Sequence, residues 1–194
     1  HAATAFNQDI GSWDVSSVTS MRSTFRKANS FSQDLSAWDT SQVTSMFYGF
    51  SETYTNTVYY NMSSWNVSSV LSMEYMFFNN RVFNEDIGRW DVSSVTNMKH
   101  MFSRTNFNQY IGDWDVTSVS TMLRMFSEAW SFNQDLTNWR MTDVLDLRST
   151  FASANSFNTP TCWDLRGSGF TVSPHSDIHI GPYLSVYDVT NTEC

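Results

Sequence analysis

FNEDIGRWDVSSVTNMKHMF, residues Phe83 to Phe102, is the stretch that decides the fold, because most of the chain is a variation on it. Two close versions are FNQDIGSWDVSSVTSMRSTF, which begins at Phe6, and FNQYIGDWDVTSVSTMLRMF, which begins at Phe107. A phrase repeated in this way predicts an array of similar units, each too small to bury its own apolar side chains, that share one continuous core.

The tryptophan of this phrase, called the repeat Trp below, gives the period. Large apolar side chains follow it at fixed distances: Val comes five places later, Met or Leu eight places later and Phe twelve places later. We therefore expect these side chains and the repeat Trp itself to point inward and to lie above their counterparts in the next unit. The repeat Trp residues are Trp13, Trp38, Trp65, Trp90, Trp114, Trp139 and Trp163.

Two periodicities follow each other inside every unit. Around Trp90 the pattern alternates, which is typical of a short strand, and from Val95 to Phe102 apolar residues recur every three or four places, which favours one or two helical turns. The Ser93–Ser94 pair could cap that helix. The sequence therefore predicts an α/β repeat solenoid with a parallel strand ladder on one face and short helices opposite.

The pattern changes in two places. The third unit carries two extra residues near Tyr54, Tyr59 and Tyr60, which we expect to form a loop, and the repeat pattern is lost after Trp163. We therefore predict a solenoid of six to seven repeats over residues 1–166 and an extended C-terminal cap over 167–194. Cys162 and Cys194 bracket this tail, which favours a disulfide over two free thiols.

The string W-x-V-x-x-V-T-x-M-x-x-M-F resembles the BspA-type leucine-rich repeats of microbial surface proteins, over about Phe6 to Trp163. The resemblance implies a leucine-rich-repeat solenoid in a secreted or cell-surface setting, with adhesive or structural roles. That family offers no common catalytic residues to transfer, so the resemblance ends at architecture and general role.

Composition narrows the choice of partner. The net charge of −8 would repel a phosphate backbone, so we expect no nucleic acid partner, and no apolar run approaches the roughly 20 residues that a membrane span needs. An extracellular location is also consistent with the cysteine pair and with two glycosylation sequons, at Asn61 and Asn66.

A row of polar side chains, one place after each repeat Trp, is the candidate interaction surface. If the units stack as strands, these side chains form a column with roughly 4.8 Å per step. The column could bind a cation or the hydroxyl groups of a glycan, or it could serve the repeat by bonding to its own loops. Its members are Asp14, Asp39, Asn66, Asp91 and Asp115.

Other polar groups point less clearly to chemistry. A second column around Asp9, Asp34 and Asp86 suggests backbone-binding bends, and His175, Asp177 and His179 could share one face of a strand as metal ligands. No nucleophile motif, phosphate loop or asymmetric carboxylate pair is visible, so we expect no catalytic residue, no metal and no cofactor.

The function predicted from sequence is a non-enzymatic extracellular or cell-surface scaffold. It would bind a protein or a glycan, or pack against neighbouring subunits of an extracellular assembly. The first alternative is a carbohydrate- or cation-binding module that uses the Asp column. The second, ice or mineral binding, depends on Thr and Ser rows such as Thr19, Thr44 and Thr96, which Leu71 and Leu145 interrupt.

Overall fold

The computed structural model describes residues 3–53, 59–159 and 163. Within these ranges the chain winds in six coils, which we number in chain order as 6–30, 31–53, 59–82, 83–106, 107–131 and 132–156. Neighbouring coils run parallel and are joined by one isolated β-bridge each. The bridges are Ser20 to Ser45, Ser45 to Ser72, Ser72 to Asn97, Asn97 to Thr121 and Thr121 to Asp146.

The predicted α/β solenoid, with short helices facing a strand ladder, is wrong. No helix occurs in the described ranges, and the β pairing found there is limited to the single-residue bridges. Each coil is instead a series of linked turns. The predicted helical turns, as in Val95–Phe102, and the predicted strand around Trp90 are both replaced by turns.

The reason lies in where the backbone N–H groups point. In the fourth coil, the N–H groups of Met98 and His100 donate to the carbonyl oxygens of Thr121 and Leu123 in the next coil, both at 3.0 Å. The N–H of Met101 turns back to the carbonyl of Met98 at 3.2 Å. Every second N–H therefore bonds to a neighbouring coil, whereas an α-helix would use the carbonyl four residues earlier.

In every coil the residues ten and fourteen places after the repeat Trp adopt a left-handed backbone. This conformation costs a non-glycine residue roughly 1–2 kcal/mol. The bonds between coils require it, because it lets alternate N–H groups reach the next coil. The residues are Ser23, Lys27, Tyr48, Glu52, Tyr75, Asn79, His100, Arg104, Arg124, Glu128, Ser149 and Ser153, with φ between 54° and 61°.

The core consists of aromatic columns that run along the stack. The phenyl rings twelve places after each repeat Trp lie 4.9–6.1 Å apart between neighbouring coils, as in Phe77 and Phe102 at 5.7 Å. Within a coil, Phe77 also stacks on Phe83 at 3.7 Å. These contacts fasten consecutive coils through their side chains as well as through their backbones.

The prediction of inward tryptophans is confirmed for every repeat Trp except the first. The six later repeat Trp residues are buried, but Trp13 is 59% exposed, and no coil precedes it among the described residues to cover its indole. Each later indole donates its Nε1–H to a carbonyl of the preceding coil, at 2.8–3.2 Å. The pairs are Trp38 to Ile10, Trp65 to Leu35, Trp90 to Met62, Trp114 to Ile87, Trp139 to Ile111 and Trp163 to Leu136.

The extra residues of the third unit do not all form a loop. Tyr60 is fully buried and fills the place of a core phenyl, with its ring 6.0 Å from Phe31 and 4.7 Å from Phe50, whereas Tyr59 is exposed. Tyr54 lies outside the described residues. So do the predicted cap over 167–194, the cysteine pair and the His175, Asp177 and His179 triplet, and these predictions stay as they were.

Candidate interaction surfaces

The predicted column after the repeat Trp faces outward, but it is built from turns and not from a strand face. All five side chains are exposed. In each, Oδ1 accepts the backbone N–H two residues later at 3.0–3.1 Å, and in most it also accepts the hydroxyl of that Ser or Thr, as in Asp91 and Ser93 at 2.6 Å. The column therefore stabilises a bend in every coil. Whether it also contacts a partner stays a prediction.

These bonds change the acidity of the column. The donated hydroxyl and N–H groups of Ser16, Ser41 and Thr117 lower the pKa of Asp14, Asp39 and Asp115 below its usual value. The carboxylates are thereby held in their ionised form. One oxygen of each is already committed to its own turn, which leaves fewer lone pairs for a cation or a glycan hydroxyl.

The second Asp column plays the same structural part, as predicted. Oδ1 of Asp9 and of Asp86 accepts the N–H of the glycine two places later at 3.0 Å, and Asp34 does so for Ser36 at 2.9 Å. No group of three or more His, Cys, Asp or Glu side chains that could hold a metal ion occurs in the described part of the chain. The two columns thus bend the chain at fixed places.

Asparagines next to the second column join one coil to the next. Oδ1 of Asn84 accepts the N–H of Asn108 at 2.8 Å, and Oδ1 of Asn108 accepts the N–H of Asn133 at 2.8 Å. Asn7 and Asn133 form the same bond with the coils that follow them. This ladder is structural as well, which agrees with the prediction that short polar side chains here bind backbone groups.

Glu85 has a structural role that was not predicted from the sequence. Four other repeats carry Gln at this position, but the carboxylate of Glu85 accepts the N–H groups of Tyr60, Asn61 and Met62 in the irregular third coil. The bond from Met62 is 3.0 Å long. The sequence did contain a signal for this role: the fourth repeat has Glu in place of the usual Gln, and the repeat just before it is the one with two extra residues.

The two sequons differ in their surroundings. The amide nitrogen of Asn61, which would carry a glycan, donates to both carboxylate oxygens of Asp34 at 3.1 and 3.3 Å, and Asn61 has a φ of 52°. Asn66 is exposed and uses only its amide oxygen, toward Ser68 at 2.7 and 3.1 Å. Of the two predicted sites, Asn66 has the freer nitrogen.

A further surface was not predicted from sequence. Tyr48, Tyr75 and His100 occupy the left-handed position ten places after the repeat Trp in three consecutive coils, and their rings stack 4.5 Å apart. Phe47 packs edge-on against Tyr48 at 4.5 Å, and Phe78 packs edge-on against Tyr75 at 5.3 Å. We call these five partly exposed rings the aromatic cluster.

Arginines surround the aromatic cluster. The guanidinium carbon of Arg22 lies 4.1 Å from the ring centre of Phe47, that of Arg26 4.5 Å from Tyr48 and that of Arg104 6.0 Å from Phe78. Arg124 takes the next place in the stacked row, beyond His100. Burial, together with the positive charges of Arg124, Lys99 and Arg104, lowers the pKa of His100 to about 4.

Comparison with known proteins places the chain in a family. A search of curated proteins gave no match, and a search of solved structures gave none either. A family model matches residues 1–58 and 49–165, which together cover the whole repeat region and most of the chain. The chain belongs to the family described as Mycoplasma protein of unknown function, DUF285.

Proposed function

We propose that the chain is a non-enzymatic repeat scaffold of an extracellular or cell-surface protein, which binds a protein or a glycan or joins an extracellular assembly. The observation that supports this most is the contrast between constant inward positions and variable outward positions within each coil. The inward side chains and the Asn and Asp bends are nearly the same in every coil, whereas the outward residues ten and fourteen places after the repeat Trp differ from coil to coil.

Such a division suits a binding protein. A repeat stack gives a long surface on a firm support, and substitutions on the outside leave the core unchanged. The resemblance of the repeat to BspA-type surface proteins favours an extracellular setting, as do the sequon at Asn66 and the cysteine pair. Among the described residues there is no helix that could cross a membrane.

The experiment that tests this function measures binding and then checks whether the bound component has been chemically changed. The purified 194-residue chain would be applied to arrays of glycans and of purified extracellular proteins, and each bound component would then be examined for chemical change. We expect saturable binding of at least one component, which is recovered unaltered. Conversion of a bound component into product would overturn the non-enzymatic role.

Intact mass spectrometry of the protein from its native source tests the setting. Loss of two hydrogens that reduction restores would show the disulfide of Cys162 and Cys194, and added hexose mass would show a glycan at Asn66 or Asn61. An unmodified chain with two free thiols would argue against an extracellular location.

The Asp column supports a second, weaker candidate, a cation- or carbohydrate-binding module. Its members are exposed, and donated hydrogen bonds lower the pKa of Asp14, Asp39 and Asp115, which places negative charge at the same position of several coils. Calcium titration of the wild-type chain and of an Asp91→Ala, Asp115→Ala variant decides it. Binding that the variant loses would support this role, and thermal stability that calcium leaves unchanged would remove it.

A further inference from the structure

The aromatic cluster is not required by the fold. The first and sixth coils carry Ser23 and Ser149 at the position of Tyr48, Tyr75 and His100, with the same backbone conformation. Both of these coils have buried cores as well, since Phe25 and Phe151 are at most 3% exposed. Large rings at this outward position therefore serve something other than coil stacking.

The charges around the cluster favour an anionic partner. Arg26 and Arg104 form ion pairs with Glu52 and Glu128, at 2.6 and 3.0 Å. Arg22 and Arg124, at the two ends of the cluster, are exposed and have no carboxylate partner among the described residues. An otherwise acidic chain thus presents unneutralised positive charge at both ends of an aromatic surface.

The arrangement of the rings favours a protein over a glycan. Sugars bind aromatic side chains through a free ring face, but both faces of Tyr75 are covered, by Tyr48 and by His100, each at 4.5 Å. One face of Tyr48 is covered in addition by Arg26. On these two tyrosines the ring edges and phenol hydroxyls stay available beside the guanidinium groups, and Tyr and Arg are enriched at the centres of protein interfaces.

We infer that the aromatic cluster, with Arg22 and Arg124 at its ends, is a docking surface for an acidic polypeptide segment that carries aromatic side chains. The carboxylates of the segment would pair with the two arginines, and its rings would pack edge-to-face against Tyr48, Tyr75 and Phe78. This inference rests on the proposed binding function and names the surface and the class of partner.

The test uses a fluorescently labelled random copolymer of Glu and Tyr as the acidic, aromatic probe, with polyglutamate and a heparin fragment as comparators. Binding to the full chain is measured by fluorescence anisotropy. We expect the copolymer to bind more tightly than polyglutamate of the same length and more tightly than heparin. A preference for heparin, or equal affinity for the two polypeptides, would overturn the inference.

Variants locate the site. Arg22→Ala with Arg124→Ala should weaken copolymer binding about tenfold or more, which is the loss expected when two interface arginines are removed. The matched control is Arg89→Ala with Arg140→Ala, which removes two other exposed arginines outside the cluster and should change affinity less than about twofold. An equal loss in both pairs would show that charge alone attracts the probe and would overturn the inference.

A third variant tests the rings separately from the charge. Tyr75→Leu keeps every arginine and should abolish the preference for the copolymer over polyglutamate, while circular dichroism and the melting temperature verify that the chain is folded. If the preference persists in the folded variant, the inference is wrong. Array binding that is unaffected by the cluster variants would likewise overturn this inference and leave the proposed scaffold function intact.

Discussion

The indole Nε1 of Trp114 lies 3.2 Å from the carbonyl oxygen of Ile87, one coil earlier, and donates a hydrogen bond to it inside the core. Five other indoles make the same bond with the preceding coil, so the repeat Trp is both a packing group and a tie between coils. Trp13 is the exception, since its side chain is largely exposed.

This difference leads to a paired prediction. Trp114→Phe should lower the free energy of unfolding by about 2–4 kcal/mol, because it leaves a cavity and removes one of the two N–H donors of the buried Ile87 carbonyl, which keeps only the N–H of Trp90 at 3.1 Å. Trp13→Phe should change it by less than about 0.5 kcal/mol. Urea denaturation monitored by circular dichroism measures both. Equal losses in the two variants would contradict the role of the buried indole bond.

How much of this could be predicted from the sequence depends on the type of residue. The inward positions were predictable, because a large apolar side chain at a fixed place in a 24- to 27-residue period must stack on its counterpart. Trp38, Val95 and Phe102 are buried as expected. The outward direction of Asp14 and Asp91 followed from the same reasoning.

The secondary structure could not be predicted in the same way. An apolar spacing of three to four residues is shared by a helix and by a series of turns whose inward side chains face one core. Over a segment as short as Val95–Phe102, helix propensity is too weak to decide, because a short helix does not repay its nucleation cost. The bonds from Met98 and His100 to the next coil decide it, and the sequence does not show them.

The aromatic cluster was missed for a different reason. Tyr48, Tyr75 and His100 stand at a position where the repeat has no fixed residue type. A search for residues that recur with the repeat period does not detect such a position. The signal was present as three ring-bearing residues in succession at one variable position. It could be interpreted only when the left-handed backbone had placed the rings in register on the outside.

The position five places before the repeat Trp gives a pair of opposite exchanges to test, Glu to Gln in the fourth coil and Gln to Glu in the sixth. Glu85→Gln should lower the free energy of unfolding by about 1–3 kcal/mol, because the neutral amide is a weaker acceptor for the three N–H groups that the carboxylate binds. Gln134→Glu should be destabilising as well, since Gln134 donates to two oxygens of Asn108 at 2.8 and 3.0 Å. Thermal and urea denaturation report both changes. A stable Gln134→Glu variant would show that this position accepts either side chain.

The left-handed positions predict an unusual response to glycine. Ser23 has a φ of 56°, so Ser23→Gly should stabilise the chain by about 0.5–1 kcal/mol, whereas Ser23→Val should destabilise it by more than that. Ser17→Gly is the control, because Ser17 is also exposed and is not in a left-handed conformation. It should be slightly destabilising. The idea fails if glycine lowers the melting temperature equally at both positions.

The Asp column predicts how stability depends on acid. The folded-state pKa of Asp39 and of Asp115 is lowered by donated hydrogen bonds, so their contribution is present above the unfolded value near 3.9 and is lost as the pH falls below it. The double change Asp39→Asn, Asp115→Asn should leave the melting temperature at pH 7 nearly unchanged, since Asn66 makes the same bonds naturally. The variant should lose less stability than the wild type between about pH 4 and pH 3. If the stability of the variant and of the wild type falls equally over this pH range, the two carboxylates are not the cause of the loss.

His100 predicts a second pH dependence, at higher pH. Its folded-state pKa is about 4, because burial and the cations Arg124, Lys99 and Arg104 disfavour the imidazolium, whereas an unfolded chain protonates histidine near 6.5. The unfolded state therefore binds more protons between these values, and stability that is complete above about pH 6.5 should decline as the pH falls toward 4. His100→Phe keeps a ring against Tyr75 and should remove this decline, while Asp115→Asn should retain it.

The measurement is the urea midpoint at several values between pH 7 and pH 4.5, with the titration of the His100 ring followed by NMR. Because Tyr75 and the guanidinium groups surround the imidazole, protonation would bring a further positive charge into the aromatic cluster. We therefore also expect Tyr75→Leu to raise the His100 pKa, since it opens one ring face to water. An imidazole that titrates near 6.5 in the folded wild type would show that the stacked row does not exclude water, and the predicted decline would then be absent.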